Sequence, residues 1–108
     1  MTQLSDNYSL KFGLTNETIL TIHQFFKKFF QVQSVKIYGS RAMGNYSEGS
    51  DIDLAVFGDC ESILTQLQSE IEELPTPYKF DVLNYNSIEN KNLKEHIDRV
   101  GKLFYEKF

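Results

Sequence analysis

The most restrictive part of this sequence is a polar, glycine-rich segment that separates two short apolar runs. The first run covers residues 34–38 and ends at Gly39, and the second covers residues 52–57 and ends at Gly58. Both runs contain β-branched and aromatic residues, which favour strands, and glycine after such a run favours a tight turn. We therefore predict two short strands whose connection begins with a turn at Gly39 and Ser40.

Two helices are predicted on either side of these strands. Residues 15–30 place apolar side chains at helical spacing, with Thr15 as the N-cap and Glu17 in the first turn. Asp59 is predicted to cap a second helix, which should stop at Pro75 because the residue before proline avoids helical geometry.

The remainder of the chain predicts one more strand and one more helix. Residues 78–84 read as a strand, and residues 88–101 read as a helix that is followed by a short extended segment. The order of these elements predicts an α/β or α+β fold, in which helices pack on a small mixed β-sheet.

Length and composition favour a single folded domain over residues 1–108. The hydrophobic fraction is 41%, with nine Phe and six Tyr, which is enough for a packed core. The single cysteine, Cys60, can form no intrachain disulfide and has no neighbours at zinc-ligand spacing. We expect a chain that folds without disulfide bonds or structural metal ions.

Charge and hydropathy limit the possible partners and location of the protein. The net charge of -4 argues against a broad basic surface for nucleic acid, although a nucleotide could bind through a metal and a few local cations. No apolar run approaches the roughly 20 residues of a membrane span, and the first residues do not form a signal peptide. We expect a cytoplasmic protein without a membrane partner.

Asp51 and Asp53 are the first candidates for a chemical site. Side chains alternate along a strand, so these two carboxylates project from one face, roughly 7 Å apart along the chain. Neighbouring carboxylates repel, and that repulsion is relieved either by a raised pKa or by a bound cation. Mg²⁺ suits such a pair because one or two carboxylates together with substrate phosphates usually hold it.

Gly39, Ser40 and Arg41 are candidates for binding a phosphate. If a short helix follows Gly39, backbone N–H groups at its start can point at an anion. The Ser40 hydroxyl could add a hydrogen bond, and the Arg41 guanidinium is suited to bidentate phosphate contact. A Gly-Ser pair alone is typical of a plain turn. Its position beside two aspartates favours the phosphate interpretation.

Asp81 is a third candidate acid, because it lies inside an apolar strand where a charge is costly. If that strand neighbours the strand of Asp53, Asp81 can join the site. Taken singly, such an aspartate is more often a structural partner, and only the other two acids favour a catalytic interpretation. Both histidines, His23 and His96, read as surface or structural residues because neither has the spacing of a catalytic triad.

Together these motifs resemble the nucleotidyltransferase superfamily that includes DNA polymerase beta, kanamycin nucleotidyltransferase and the minimal nucleotidyltransferases. The resemblance covers about residues 35–84 and consists of a Gly-Ser pair, an Asp-x-Asp pair and a later acid on another strand. The residues that meet this pattern are Gly39, Ser40, Asp51, Asp53 and Asp81. The forms Gly-Ser-Arg-Ala-x-Gly and Ser-Asp-Ile-Asp-Leu look most like the small prokaryotic minimal nucleotidyltransferases.

The resemblance implies a Mg²⁺-dependent enzyme that transfers a nucleoside monophosphate, with ATP as the expected donor. Its catalytic and metal-binding residues would be Asp51, Asp53 and Asp81, which hold two Mg²⁺ ions, with Asp81 also helping to activate the acceptor hydroxyl. Its nucleotide-binding residues would be Gly39, Ser40, Arg41 and Ser50.

The resemblance also implies a protein partner. Minimal members are commonly paired with a small helical protein, often of the HEPN type, in toxin–antitoxin modules where the partner can be modified with AMP. This chain would then be the antitoxin, and exposed aromatics among residues 25–30 or at Phe104 and Tyr105 could contact the partner, although both groups are more often core. The alternative is a catalytically degenerate nucleotide-binding module that neutralises its partner by contact alone.

Overall fold

A four-stranded mixed sheet organises residues 10–107, which are the residues that the computed structural model describes. The strands are β1 (Val32–Tyr38), β2 (Ile52–Gly58), β3 (Phe80–Asn84) and β4 (Lys102–Glu106). They stand in the order β3-β2-β1-β4. Strand β1 is antiparallel to β2 and to β4, whereas β2 is parallel to β3. This arrangement confirms the predicted small mixed sheet.

Within residues 10–107, four α-helices connect or flank these strands. They are α1 (Asn16–Lys27), α2 (Gly39–Met43), α3 (Leu64–Ile71) and α4 (Lys91–Val100), with 3₁₀ turns at Glu61–Ile63 and Tyr85–Ser87. None of the helices within residues 10–107 is both long and apolar enough to cross a membrane.

Helix α1 begins where the sequence predicts it. Thr15 is the N-cap, and its Oγ1 accepts a hydrogen bond from the Thr18 N–H at 3.2 Å. The helix buries Ile22, Phe25 and Phe26 against the sheet. Of the aromatic residues considered for a partner contact, Phe30 is 74% exposed, whereas those at 25, 26, 29, 104 and 105 are buried. Those five therefore belong to the core rather than to a docking surface.

The start of α3 differs from the prediction. Asp59 does not cap this helix: a 3₁₀ turn at Glu61–Ile63 comes first, and α3 begins at Leu64 without a side-chain cap. An N-cap side chain accepts from an N–H two or three residues further on, and α3 begins too far from Asp59 for that contact. The backbone N–H of Asp59 donates to the carbonyl of Gln31 at 3.2 Å.

The later elements follow the prediction with shifted boundaries. Strand β3 begins at Phe80 rather than at residue 78, and α4 begins after Asn90, whose Oδ1 accepts from the Leu93 N–H at 3.1 Å. The predicted extended segment after Gly101 is strand β4, which pairs with β1.

Alternating side chains on β2 divide the core into two layers. Ile52, Leu54 and Val56 are fully buried in the larger layer, which contains residues of α1 and α3. Ala55 points to the other face, where it packs with Ile97 of α4. Asp53 shares this second face with Ala55. The fold therefore places the acid of β2 on the face that α4 partly covers.

Candidate active site

A row of three polar side chains crosses the sheet where β1 ends and where β2 and β3 begin. Tyr38 is the register partner of Asp53 on one side, and Asp81 is the register partner of Asp53 on the other. Register partners project from the same face of a sheet. The condition stated above for Asp81, that its strand lie beside the strand of Asp53, is therefore met.

Asp51 lies directly before β2, and its side chain is exposed. The side chain of Asp81 is also exposed, whereas Asp53 between them is half-buried. The structure therefore brings all three predicted acids to one end of the sheet and leaves that end open to a second molecule.

Negative charge is concentrated at this end of the sheet. Burial, followed by the nearby carboxylates of Asp81 and Asp51, raises the pKa of Asp53 to about 6. Burial and the charges of Asp81 and Asp53 also raise the pKa of the Tyr38 hydroxyl well above its ordinary value. In the protein without ligands, the raised pKa of Asp53 is one of the two ways to relieve the carboxylate repulsion. A bound cation would supply the other.

Gly39 brings the predicted phosphate turn against Asp53. Gly39 has a φ of +74°, a conformation that L side chains rarely adopt, and a Cβ at this position would overlap the Oδ2 of Asp53. Helix α2 begins at Gly39 itself, so the short helix on which the phosphate interpretation depends is present, and Ser40 is its second residue. The sequence therefore needs glycine here for two reasons, and the turn and the carboxylate are immediate neighbours.

Arg41 is buried, and its guanidinium faces backbone carbonyls. Its side chain is only 2% exposed. The Nε and Nη2 donate to the Ser50 carbonyl at 3.1 and 2.9 Å, Nη2 also donates to the Glu48 carbonyl at 3.2 Å, and Nη1 donates to the Phe12 carbonyl at 2.9 Å. Backbone carbonyls already accept from these donors, so the structure gives no support to the phosphate contact of Arg41, which stays a prediction.

Ser50 is likewise used within the loop that precedes β2. Its Oγ accepts a hydrogen bond from the Ser47 N–H at 2.9 Å, and its carbonyl accepts from Arg41. The geometry supports a role in loop structure. It gives no support to the predicted contact between Ser50 and a nucleotide.

The donor set at this end of the sheet consists of hard carboxylate oxygens. Among residues 10–107, no three acidic, histidine or cysteine side chains converge into a ready-made metal cluster. The residues nevertheless fit Mg²⁺, which commonly takes one or two carboxylates and completes its shell with water and substrate phosphates. The residues that would hold it are Asp51, Asp53 and Asp81.

Sequence reasoning missed two members of the site, Tyr38 and His96. The His96 ring packs edge-on against Tyr38 with ring centroids 6.2 Å apart, and its charge acts to lower the pKa of Asp53. The position of Tyr38, directly before Gly39, was a usable signal. His96 had none, because only the packing of α4 on the sheet brings it here.

The family model for polymerase beta nucleotidyltransferases matches residues 21–107. The chain belongs to this nucleotidyltransferase family. The match includes all of the predicted acids and the Gly39-Ser40 turn, which confirms the superfamily resemblance. No curated protein sequence matches the chain.

Several solved structures share the nucleotidyltransferase fold. A toxin–antitoxin crystal structure with AMP-PNP has a TM-score of 0.68 and 18% identity, over 82% of this chain and 73% of that chain. The toxin–antitoxin MntA-HepT has a TM-score of 0.54 and 16% identity, over 86% and 74% of the two chains. A protein from Sulfolobus solfataricus, described as a candidate nucleotidyltransferase, has a TM-score of 0.52 and 22% identity, over 83% and 78%. At these identities the likeness shows the fold.

Proposed function

We propose that this nucleotidyltransferase is a Mg²⁺-dependent enzyme that transfers AMP from ATP to a hydroxyl group on a partner protein. The observation that carries the proposal is the position of Asp53, which stands in register with Asp81 and lies against the backbone of Gly39. A carboxylate suited to hold a metal ion is thereby adjacent to the turn that we propose binds phosphate.

This geometry supports the following proposed roles for the residues. Gly39 and Ser40 would bind the triphosphate, while Asp51 and Asp53 would hold the metal ions beside it. Two bound Mg²⁺ ions supply Lewis-acid stabilisation of the attacking and leaving oxygens. The acceptor oxygen forms a bond to the α-phosphorus, the bond from that phosphorus to the β-phosphate oxygen breaks, and pyrophosphate leaves. Asp81 would serve the acceptor side by drawing the proton from the hydroxyl.

The end of the sheet that carries Asp51, Asp53 and Asp81 is called the acid end. Because this end is open, the acceptor would arrive on a second protein. Asp51 and Asp81 are both exposed. A partner that covers them would bring a hydroxyl into line with the α-phosphate and would exclude water. Two of the structural neighbours are toxin–antitoxin proteins, one of them with AMP-PNP. These neighbours support a small helical toxin of the HEPN type as the partner, which would make this chain an antitoxin of the cytoplasm.

Intact mass spectrometry tests the proposal directly. The protein is incubated with ATP, Mg²⁺ and the partner that co-purifies with it, and both chains are weighed. We expect the partner to gain the mass of one or more AMP groups, and we expect no gain with Asp53→Asn. Asp59→Asn is the matched control, because Asp59 is an exposed aspartate beyond the other end of β2.

The second candidate function is a degenerate module that neutralises its partner by contact alone. It is favoured by the absence of a preformed three-residue metal cluster within residues 10–107. A stable complex whose chains keep their masses with every nucleoside triphosphate would support this function and would overturn transfer.

A further inference from the structure

The loop between α2 and β2 carries Asp51 to the site, yet it contains little regular structure. Its internal hydrogen bonds join Ser47 and Ser50 to each other. Within the part of the chain that the structure describes, every hydrogen bond that links residues 45–51 to the rest of the fold comes from Arg41. Arg41 therefore supplies the hydrogen bonds that hold this loop against the rest of the fold, while the Tyr46 ring beside Gly13 adds a packing contact.

The bonds of Arg41 act on the residue next to Asp51. The Ser50 carbonyl belongs to the peptide group that links Ser50 to Asp51, and two donors of the Arg41 guanidinium converge on its oxygen. Hydrogens on a carbonyl oxygen prefer to lie near the peptide plane, so two donors from one planar guanidinium restrain the orientation of that plane more than a single donor does. The direction in which Asp51 leaves the loop is set by this plane.

The surroundings of Arg41 keep the fork rigid. The guanidinium lies near the rings of Tyr46 and Tyr78, 5.2 and 4.9 Å from their centroids. A buried guanidinium is costly unless its donors are satisfied, and these carbonyls and aromatic faces offset that cost. The same contacts link the loop to Tyr78, shortly before β3 begins with Phe80 and Asp81.

We propose that Arg41 is a positioning residue, which acts through the Ser50 peptide to hold Asp51 beside Asp53 and in a fixed relation to the Gly39-Ser40 turn. Arg41 stands in α2, the helix that this turn begins. The claim that Arg41 holds the loop is independent of the proposed function. The claim that this affects metal binding by Asp51 rests on the proposed function.

Hydrogen exchange measured by mass spectrometry tests the holding. We expect Arg41→Met to speed exchange across residues 45–51 while leaving residues 64–71 as they are in the unmodified protein. The control is Leu67→Ala, which removes a fully buried side chain of α3 and should have the opposite pattern. If exchange of residues 45–51 in Arg41→Met matches that of the unmodified protein, the proposal is overturned.

Calorimetric titration with Mn²⁺ and a non-hydrolysable ATP analogue tests the consequence. Loss of a residue that orients a metal ligand typically weakens metal binding about 10–100-fold, and we expect that loss for Arg41→Met. Arg41→Lys keeps the charge but not the fork, so it should also bind Mn²⁺ more weakly, whereas Leu67→Ala should bind Mn²⁺ normally below its melting temperature.

The two measurements separate the possible failures. Faster loop exchange together with unchanged Mn²⁺ affinity would overturn the positioning of Asp51. Full Mn²⁺ affinity in Arg41→Lys would show that charge alone matters and would overturn the role of the fork. If the unmodified protein bound no Mn²⁺, the proposed function would fail, and hydrogen exchange in both Arg41 variants would still decide whether Arg41 holds the loop.

Discussion

The α4 face of the sheet has two ends with opposite properties. Along β2, Asp53 lies at one end, while Ala55 and Phe57 continue toward the other. At the acid end, carboxylates stand close enough for burial and repulsion to raise the pKa of Asp53 to about 6. At the packed end, Phe57 stacks on Tyr85 with ring centroids 4.5 Å apart. Strand β2 therefore carries a group of carboxylates that destabilises the fold at one end and an aromatic contact that stabilises it at the other.

The difference shows how a small domain accommodates an unfavourable site. At the packed end, Ala55 and Ile97 are fully buried, and the Lys36 and Lys94 ammonium groups lie 5.5 and 5.0 Å from the centroids of the Phe57 and Tyr85 rings. These contacts stabilise the same face of the sheet that the repelling carboxylates at the acid end destabilise. Such a division is expected where function requires a strained or repelling site.

Asp81→Asn should produce the largest effect, and it should be an effect on activity. If Asp81 serves the acceptor side, its loss removes an interaction felt mainly in the transition state. We expect the rate of transfer to fall by about 100–1,000-fold, the scale seen when one transition-state contact is removed, with most of the ATP affinity retained. Single-turnover kinetics and nucleotide titration measure the two quantities. Equal losses of rate and affinity would make Asp81 an ordinary metal ligand.

Ile97→Ala, at the packed end, should lower the stability of the fold and leave ligand binding unchanged. Ile97 is fully buried, and truncation of such a residue typically costs about 2–5 kcal/mol in the free energy of unfolding. Urea denaturation with and without Mg²⁺ and ATP measures the loss. The stabilisation that these ligands add should be the same as in the unmodified protein. A smaller ligand-induced increment in Ile97→Ala would show that the two ends are coupled.

Mg²⁺ and ATP should stabilise the acid end jointly. A ligand at 100 times its Kd adds about 2.7 kcal/mol to folding, and a metal shared between carboxylates and phosphates makes each ligand improve the other. We therefore expect the melting temperature to rise more with both than the separate shifts predict. Asp51→Asn and Asp53→Asn should abolish this synergy without unfolding the chain. Purely additive shifts in the unmodified protein would contradict a shared site.

The stability of the metal-free protein should depend on pH, and this effect should be smaller than those described above. Burial raises the pKa of Asp53 from 3.8 to about 6, so between these values the folded state holds a proton that the unfolded chain has lost. The free energy of unfolding should then fall as the pH rises through this interval and level off above it. We expect urea midpoints in EDTA to show this fall, and Asp53→Asn to reduce it. Parallel pH profiles for the two proteins would contradict the raised pKa.

Local patterns in the sequence predicted much of the fold. The Thr15 cap is read from one residue and its neighbours, and the structure confirms it. Asp59 shows the limit of such local prediction: its side chain suits a helix cap, but a 3₁₀ turn separates it from α3, and its N–H donates to Gln31, which is distant in the chain. The phosphate contact of Arg41 was predicted from its guanidinium alone, and only the structure shows the backbone carbonyls that accept its hydrogen bonds.

The sequence by itself determined that Asp53 projects from the face of β2 opposite Ile52 and Leu54 and that Gly39 begins a turn, because side-chain alternation and glycine geometry depend on a few adjacent residues. Only the tertiary structure decided that Asp81 stands beside Asp53, since strand order is set by how the whole chain packs. The burial of Arg41 and the position of His96 were decided in the same way. Both depend on contacts between segments that no local pattern relates.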